Sequence, residues 1–465
     1  MREPFALVLA LALCASCSGA ARQPSESRVG GEAGLTGRQA AECPVLDAAK
    51  KGSWVPMSQA GAPVNIKGPP LRSFWTGSRL LVMDRSFSRP DNAAYDPCTD
   101  TWTRISPISG IPPGHGGSLH GQWVGDRLVV WYKPYNPKKS SWIVKEYWPE
   151  TDTWSESAVP AAAAPVPVVG RRLVIFEGKS STPAFENGSV HDLETGQTED
   201  LPSQGAPIAR KGYVGVVLDD NRYLVWGGRG GSPDKRDLND GAILDLAAKK
   251  WTPMSMQGAP GGRSFAKAAW TGEKLIVWSD QYGRIEGGGV YDPAADAWSA
   301  LPAENAPIAR QQTLAAYGAG RFVVAGGYSS AKQAAEAKVQ DNLAGAVYDV
   351  DKDRWTAVAL PVAMNDIWAA VHVLDDGRML LRHRDFQWMH LFDPRTLQWT
   401  GIDPEPIANR GFTQVALIGS RLIVWGGMQS EQGIKNPCDN VPAGMGCDPP
   451  GPAVHYLSDG AITVF

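Results

Sequence analysis

The sequence contains no apolar run close to the roughly 20 residues that a membrane-spanning helix requires. Its N-terminal run, residues 5–13, is about nine residues long and follows Arg2, which suits the core of an export signal rather than a span. Neither sign of charge dominates. Forty-five Lys and Arg stand against 48 Asp and Glu, a formal net charge of -3, so the basic footprint of a nucleic-acid-binding chain is missing. Downstream of the leader no Cys-x-x-Cys occurs, and nowhere is there a His-Glu-x-x-His, a Gly-x-Ser-x-Gly elbow or a phosphate-cradling glycine loop. The usual sequence marks of zinc sites, serine hydrolases and nucleotide enzymes are therefore absent. Only seven His are present. His115 and His120 lie close in sequence, and His372, His383 and His390 fall within one segment but on different predicted strands, so no metal and no cofactor is expected.

What is abundant is turn formers and aromatics. Gly 51 and Pro 36, with 18 Trp, fit many short strands joined by tight turns. Residues 1–17 read as a signal peptide. Small residues before Cys17 suggest a lipoprotein processing site, with cleavage after the small residues near 19–21 as the alternative. Residues 18–42 are small, polar and Gly-rich, a flexible tether. A lipid on Cys17 would be the one membrane contact.

From residue 43 to 465 one unit repeats. A four-residue apolar run recurs at 80–83, 128–131, 173–176, 224–227, 275–278, 322–325, 379–382 and 422–425. An aromatic residue followed seven residues later by Trp recurs as Tyr95/Trp102, Tyr147/Trp154, Tyr291/Trp298, Tyr348/Trp355 and Phe392/Trp399, with Asp directly after the aromatic residue in all but Tyr147. Leu244/Trp251 keeps the spacing, and His191/Thr198 is a degenerate copy. Each unit predicts four short strands. One such sheet cannot bury both faces, and stacking it on its neighbours can. A period near 50 with this pattern predicts an all-β propeller. Eight runs predict eight four-stranded blades, with seven as the rival count because unit three lacks its Trp. The last unit lacks a closing Trp segment, and residues 54–57 (Trp-Val-Pro-Met) match residues 251–254 (Trp-Thr-Pro-Met). The N-terminal strand is therefore predicted to be the outer strand of the last blade, which removes a free sheet edge.

On these residues, and on the diglycines Gly227-Gly228, Gly326-Gly327 and Gly426-Gly427, the chain resembles the kelch-repeat family, including its galactose-oxidase-like central domains. The resemblance covers roughly residues 54–465 and implies the propeller fold far more firmly than any activity. Copper-radical oxidases that share the fold need a Cys cross-linked to a Tyr. Here Cys438 and Cys447, nine apart in one loop, are expected to pair, and Cys43 with Cys98 is expected to latch the closure. The Ser-x-Asp-x-Gly-x-x-Trp box of sialidase propellers is also missing.

Two sets of residues are candidates for binding. Arg72, Arg210, Arg263, Arg310 and Arg410 are read as one repeat position just before the inner strand, where they would either ring one channel mouth as an anion-attracting rim or hydrogen-bond loop carbonyls. Tyr132, Tyr135, Trp142 and Tyr328 lie in or beside the long loops after the second strands, on the same face, and could stack on a sugar or a partner. The expectation is a monomeric, extracytoplasmic binding protein of the cell envelope, outer-membrane or cell-surface lipoprotein or periplasmic, that takes a protein or glycan partner. The alternative is a carbohydrate-active enzyme such as a sugar mutarotase or epimerase.

Overall fold

The computed structural model describes residues 52–63, 72–83, 92–109, 119–132, 142–159, 167–176, 188–230, 236–279, 287–310, 312–327, 344–364, 369–410, 413–418, 420–430, 454–456 and 459–465. The signal, lipidation and tether segments, and Cys17, Cys43, Cys438 and Cys447, lie outside them. Among the described residues there is no α-helix, and no helix is long and apolar enough to cross a membrane.

The strands form eight four-stranded antiparallel sheets and two two-stranded ribbons. In chain order the blades span residues 72–104, 119–159, 168–200, 214–253, 267–300, 314–359, 369–402 and 414–464, the last completed by Trp54–Pro56. Blade count and closure are as the repeat predicts. Trp54 pairs with Thr463, Val55 with Ile462 and Pro56 with Ala461. Blade three is present in spite of its missing Trp, with short strands of 2, 4, 4 and 3 residues.

The apolar runs are the second strands, and both of their faces are covered. In blade 1, Leu80 and Val82 pack on Ile423 and Trp425 of blade 8, while Leu81 and Met83 pack on Leu128 and Val130 of blade 2. Two-sided burial explains why these runs are continuously apolar instead of alternating. Eight such clusters occupy the eight seams, that between blades 8 and 1 included, so the circle is shut. The run of blade 4 begins one residue earlier than the sequence suggests. Tyr223 and Val225 face blade 3, and Leu224 and Trp226 face blade 5.

The seven-residue spacing is also explained. Tyr95 and Trp102 are directly opposite across the third and fourth strands, as are Tyr147 and Trp154, Tyr291 and Trp298, and Tyr348 and Trp355. Except in blade 2, where Trp148 follows Tyr147, the Asp after the aromatic residue builds the intervening turn. Asp292 Oδ1, for example, accepts the N–H groups of Ala294 and Ala295 at 2.9 and 3.2 Å.

Candidate functional site: the loop-bearing face of the ring

In a four-stranded meander the connection from second to third strand and the connection from one blade to the next emerge on the same face. The tight turns emerge on the other. The tight turns between third and fourth strands are committed to holding blades together, gripping the connection that leaves the preceding blade. Tyr147 Oη donates to Asp152 Oδ1 at 2.7 Å, the same oxygen accepts Ser106 N–H from blade 1 at 2.7 Å, and Trp154 Nε1 donates to Ser106 O at 2.9 Å. Asp100 with Ser58, and Asp296 with Ser255, repeat the arrangement. Burial first, and the acceptor Asp second, push the phenols of Tyr95, Tyr147, Tyr291 and Tyr348 far above their ordinary range, so they stay protonated donors.

On the loop face, four of the five predicted arginines share one position. Arg210, Arg263, Arg310 and Arg410 stand four residues before Val214, Lys267, Leu314 and Gln414. Those four residues pair with Trp226, Trp278, Ala325 and Trp425, the last residues of the second-strand runs. Arg72 does not share it: Arg72 is itself the first residue of the inner strand, paired with Met83. The letters Arg-Ser-Phe at 72–74 and at 263–265 match, but the first set is strand and the second is loop.

All four arginines are buried. Arg210 donates to Gly227 O and to Asp240 O, each at 3.0 Å, and forms a two-pronged ion pair with the Asp240 carboxylate at 3.0 Å. Arg263 donates to Gly261 O at 2.9 Å and Gly287 O at 2.8 Å. Arg310 donates to Ala344 O at 2.9 Å, and Arg410 grips the Asp459 carboxylate at 2.7 and 3.2 Å. Gly227 and Gly326 open the loops after the second strands, and Asp240, Gly287, Ala344 and Asp459 close them. Each guanidinium thus pins the base of its own blade's loop. Of the two sequence readings, this geometry is that of the loop-carbonyl partner, and these groups do not form an open cationic rim.

The diglycines complete the loop bases. Gly227 and Gly326 adopt φ of 67° and 63°, and their N–H groups donate to Asp240 O and Ala344 O. The second glycine bonds to the next blade: Gly228 N–H to Arg263 O and Gly327 N–H to Met364 O, both at 2.8 Å. Blade 4 adds a two-stranded ribbon on this face, Arg210–Lys211 with Arg229–Gly230, and blade 8 adds Met428–Ser430 with Val454–Tyr456.

Tyr132 and Trp142 end and begin the second and third strands of blade 2, flanking its loop. Tyr135 and Tyr328 lie outside the described residues. No group of three or more His, Cys, Asp or Glu suited to a metal ion occurs among the described residues.

Sequence reasoning missed a cluster in blade 7. Its second-strand run ends in Arg382, where blades 2, 4, 5 and 8 have Trp. Arg382 is buried, lies 4.5 Å from the Phe386 ring centroid and donates to His372 Nε2 at 3.2 Å on the side facing blade 8. On the side facing blade 6, Trp388 lies between His383 and His390, with ring centroids 6.0 and 5.9 Å away, and His390 meets Trp399 at 6.3 Å. The sequence places the three His in one segment, and the register shows which faces they share.

Residues 163–372 match the family model described as the KLHDC2/KLHL20/DRC7 Kelch-repeats domain. Acyl-CoA-binding domain-containing protein 4 of Arabidopsis thaliana is 28% identical over 199 residues, which cover 39% of this chain and 29% of that protein. Acyl-CoA-binding domain-containing protein 5 of the same plant is 29% identical over 137 residues, covering 28% of this chain and 20% of that protein. The chain spans less than a third of the length of these curated relatives. A solved fungal alcohol oxidase of the AA5 family, in complex with copper, covers 73% of this chain and 71% of its own at 14% identity and a TM-score of 0.44, a likeness that carries no argument about chemistry.

Proposed function

We infer from the chain's being an eight-bladed kelch-repeat β-propeller that it works by binding, presenting its loop-bearing face to a protein or glycan partner at the cell envelope. The carrying observation is the division of labour between the two faces. The turns between third and fourth strands use their Asp, Tyr and Trp groups to join blades, with a Ser of the preceding blade's exit as partner. On the other face, buried arginines fix the bases of loops of very unequal length, which is how a rigid scaffold displays variable recognition segments.

The test is a glycan-array and envelope-protein binding screen on residues 43–465, repeated with the loops at 231–235, 328–343 and 431–453 shortened one at a time. Shortening should weaken capture by about tenfold or more, while replacing exposed residues of the opposite turns should not. Loss of binding through the turn face alone, or no binder in either screen, would overturn this reading. The placement includes a lipid on Cys17, which intact-mass analysis of the membrane fraction checks; an unmodified N-terminus removes it.

The same reading includes a covalent latch. Cys98 is disulfide-bonded, and we propose Cys43 as its partner. Ser58 N–H reaches Asp100 Oδ1 at 2.8 Å, so the segment that follows Cys43 runs beside the turn that carries Cys98. Cys438 with Cys447 would close the long loop of blade 8. Peptide mapping without reductant should recover both pairs, and a 98–438 or 98–447 peptide would refute this connectivity.

A further inference from the structure

We propose that blade 7 is an acid-sensitive joint of the ring: in mildly acidic solution, proton uptake by His383 and His390 loosens its seam with blade 6 and the part of the loop-bearing face beside it. The two imidazoles share one aromatic stack through Trp388 and lie on the face that packs against blade 6. Blade 6 contributes Leu314, Val323, Ala325, Val347, Leu360 and Met364 to the core of this seam; its charged groups on the same strand faces, Arg321 and Asp349, lie at the turn end and pair with each other at 3.0 Å. Ala325 stands where blades 2, 4, 5 and 8 place a Trp.

Burial and the Arg382 guanidinium oppose the addition of protons to this stack. Burial acts first on His383, with Asp385 favouring the charged form and the buried Arg382 opposing it; on His390 the cause is burial. His383 Nδ1 already accepts the Asp385 N–H at 3.1 Å, a bond that protonation of that nitrogen would abolish. On the opposite face of the same blade His372 Nε2 accepts from Arg382, and blade 8 covers this side with Leu422, Val424 and Ala461. Protonation of His372 would replace that bond by two cations in contact.

Burial holds both His383 and His390 below the ordinary imidazole range. An opened seam therefore binds protons that the closed seam refuses. The stabilising effect is complete above the free value of about 6.5 and drains as pH falls below it. The Asp152 carboxylate, clamped by Ser106 and Tyr147, is held below its ordinary value and so titrates at lower pH than these imidazoles. His191 of blade 3 is also buried and held neutral by burial, but it is single and bonded to Thr198. Blade 5 contains no His and is the internal control.

The experiment is hydrogen exchange of the full chain read by mass spectrometry at about pH 7.5 and about pH 5, corrected for intrinsic exchange. Peptides from 369–402 should lose protection by about tenfold more than peptides from 267–300. The pair His383→Asn with His390→Phe, which keeps an acceptor and a ring, should erase that difference, and His383→Gln with His390→Gln should do the same if the first pair does not fold. Equal losses in both blades, or a drop that survives in the variants, would overturn the proposal. So would a proton NMR titration of the unmodified chain placing both imidazoles at or above about 6.5.

Discussion

At the scale of single residues, the seams are built from small polar networks that only some blades complete. Where Ser stands four residues after the outer-strand Trp, the next blade's indole finds its carbonyl: Trp102 on Ser58, Trp154 on Ser106 and Trp298 on Ser255. Asp403 serves Trp54 in the same way at 2.8 Å. Where the equivalent residue is Pro202, Pro302 or Ala359, the indole N–H of Trp251, Trp355 or Trp399 has no partner among the described residues. Asp152→Ala should expose the worth of a complete network, because it removes the acceptor of Tyr147, of Ser106 N–H and of the Ser106 hydroxyl together. The turn is exposed, so the expected loss is about 1–2 kcal/mol in urea unfolding rather than the sum of three bonds. Burial alone would raise the Asp152 carboxyl, but hydrogen bonds from Ser106 and Tyr147 hold it below its ordinary value. Its contribution is therefore present above pH ~4 and lost as pH falls through the folded value. Asp152→Asn should flatten that acid limb, and an unchanged limb would show that the clamp carries no such weight.

At the scale of the element, the repeat was legible wherever one chemical demand recurs at every turn of the ring. The second strand must be apolar on both faces, and the Tyr–Trp pair must sit opposite in register, so both periods stand out in sequence. Positions whose partner is about one blade away in sequence were not legible. Arg210 gives no sign that its partner is Asp240, and Arg72 imitates Arg263 in letters while lying four positions deeper in the blade. The Arg127 of blade 2 was equally hidden. It is buried, pairs with Glu146 at 2.7 Å and donates to Leu193 O of blade 3 at 2.9 Å, so an ion pair serves the seam where blade 3 has Thr198 in place of Trp. The diglycine, visible in only three blades, has a firm geometric cause. A Cβ at Gly326 would lie 2.1 Å from Met364 O, and φ there is +63°. Gly326→Ala should therefore cost more than about 2 kcal/mol and raise exchange in residues 360–364, because blade 7's entry loop must retreat. A variant as stable as the parent would mean that this seam yields easily. Arg210→Ala should act on the same joint in blade 4, where a part-exposed carboxylate and two carbonyls lose their donor, with an expected loss of about 1–2 kcal/mol because water can reach the freed Asp240.

At the scale of the whole molecule, stability depends on having no end. Each blade's second strand is covered only because a neighbour stands on either side, and the neighbour between blades 7 and 1 is assembled from both ends of the chain. Trp54–Pro56 completes the sheet of Gly460–Val464, Met57 enters the core shared with blade 1, and Ser58 reaches the Asp100 clamp. Removing residues 43–58 would uncover the edge of the 460–464 strand, whose Ala461 and Ile462 are buried. It would also take away the partner of Trp102 Nε1, an indole lying 4.4 Å from Trp425 in the same seam. The expected result is a chain that unfolds at least about 10 °C lower and associates through the freed edge, seen as concentration-dependent light scattering. Adding the 43–58 segment back as a separate peptide should restore part of the lost stability, because the strand contributes through pairing and packing rather than through its covalent link. A truncated chain that stays monomeric and melts where the parent does would mean that the other seven seams are sufficient, and that the closing strand is an ornament of the ring and not its fastening.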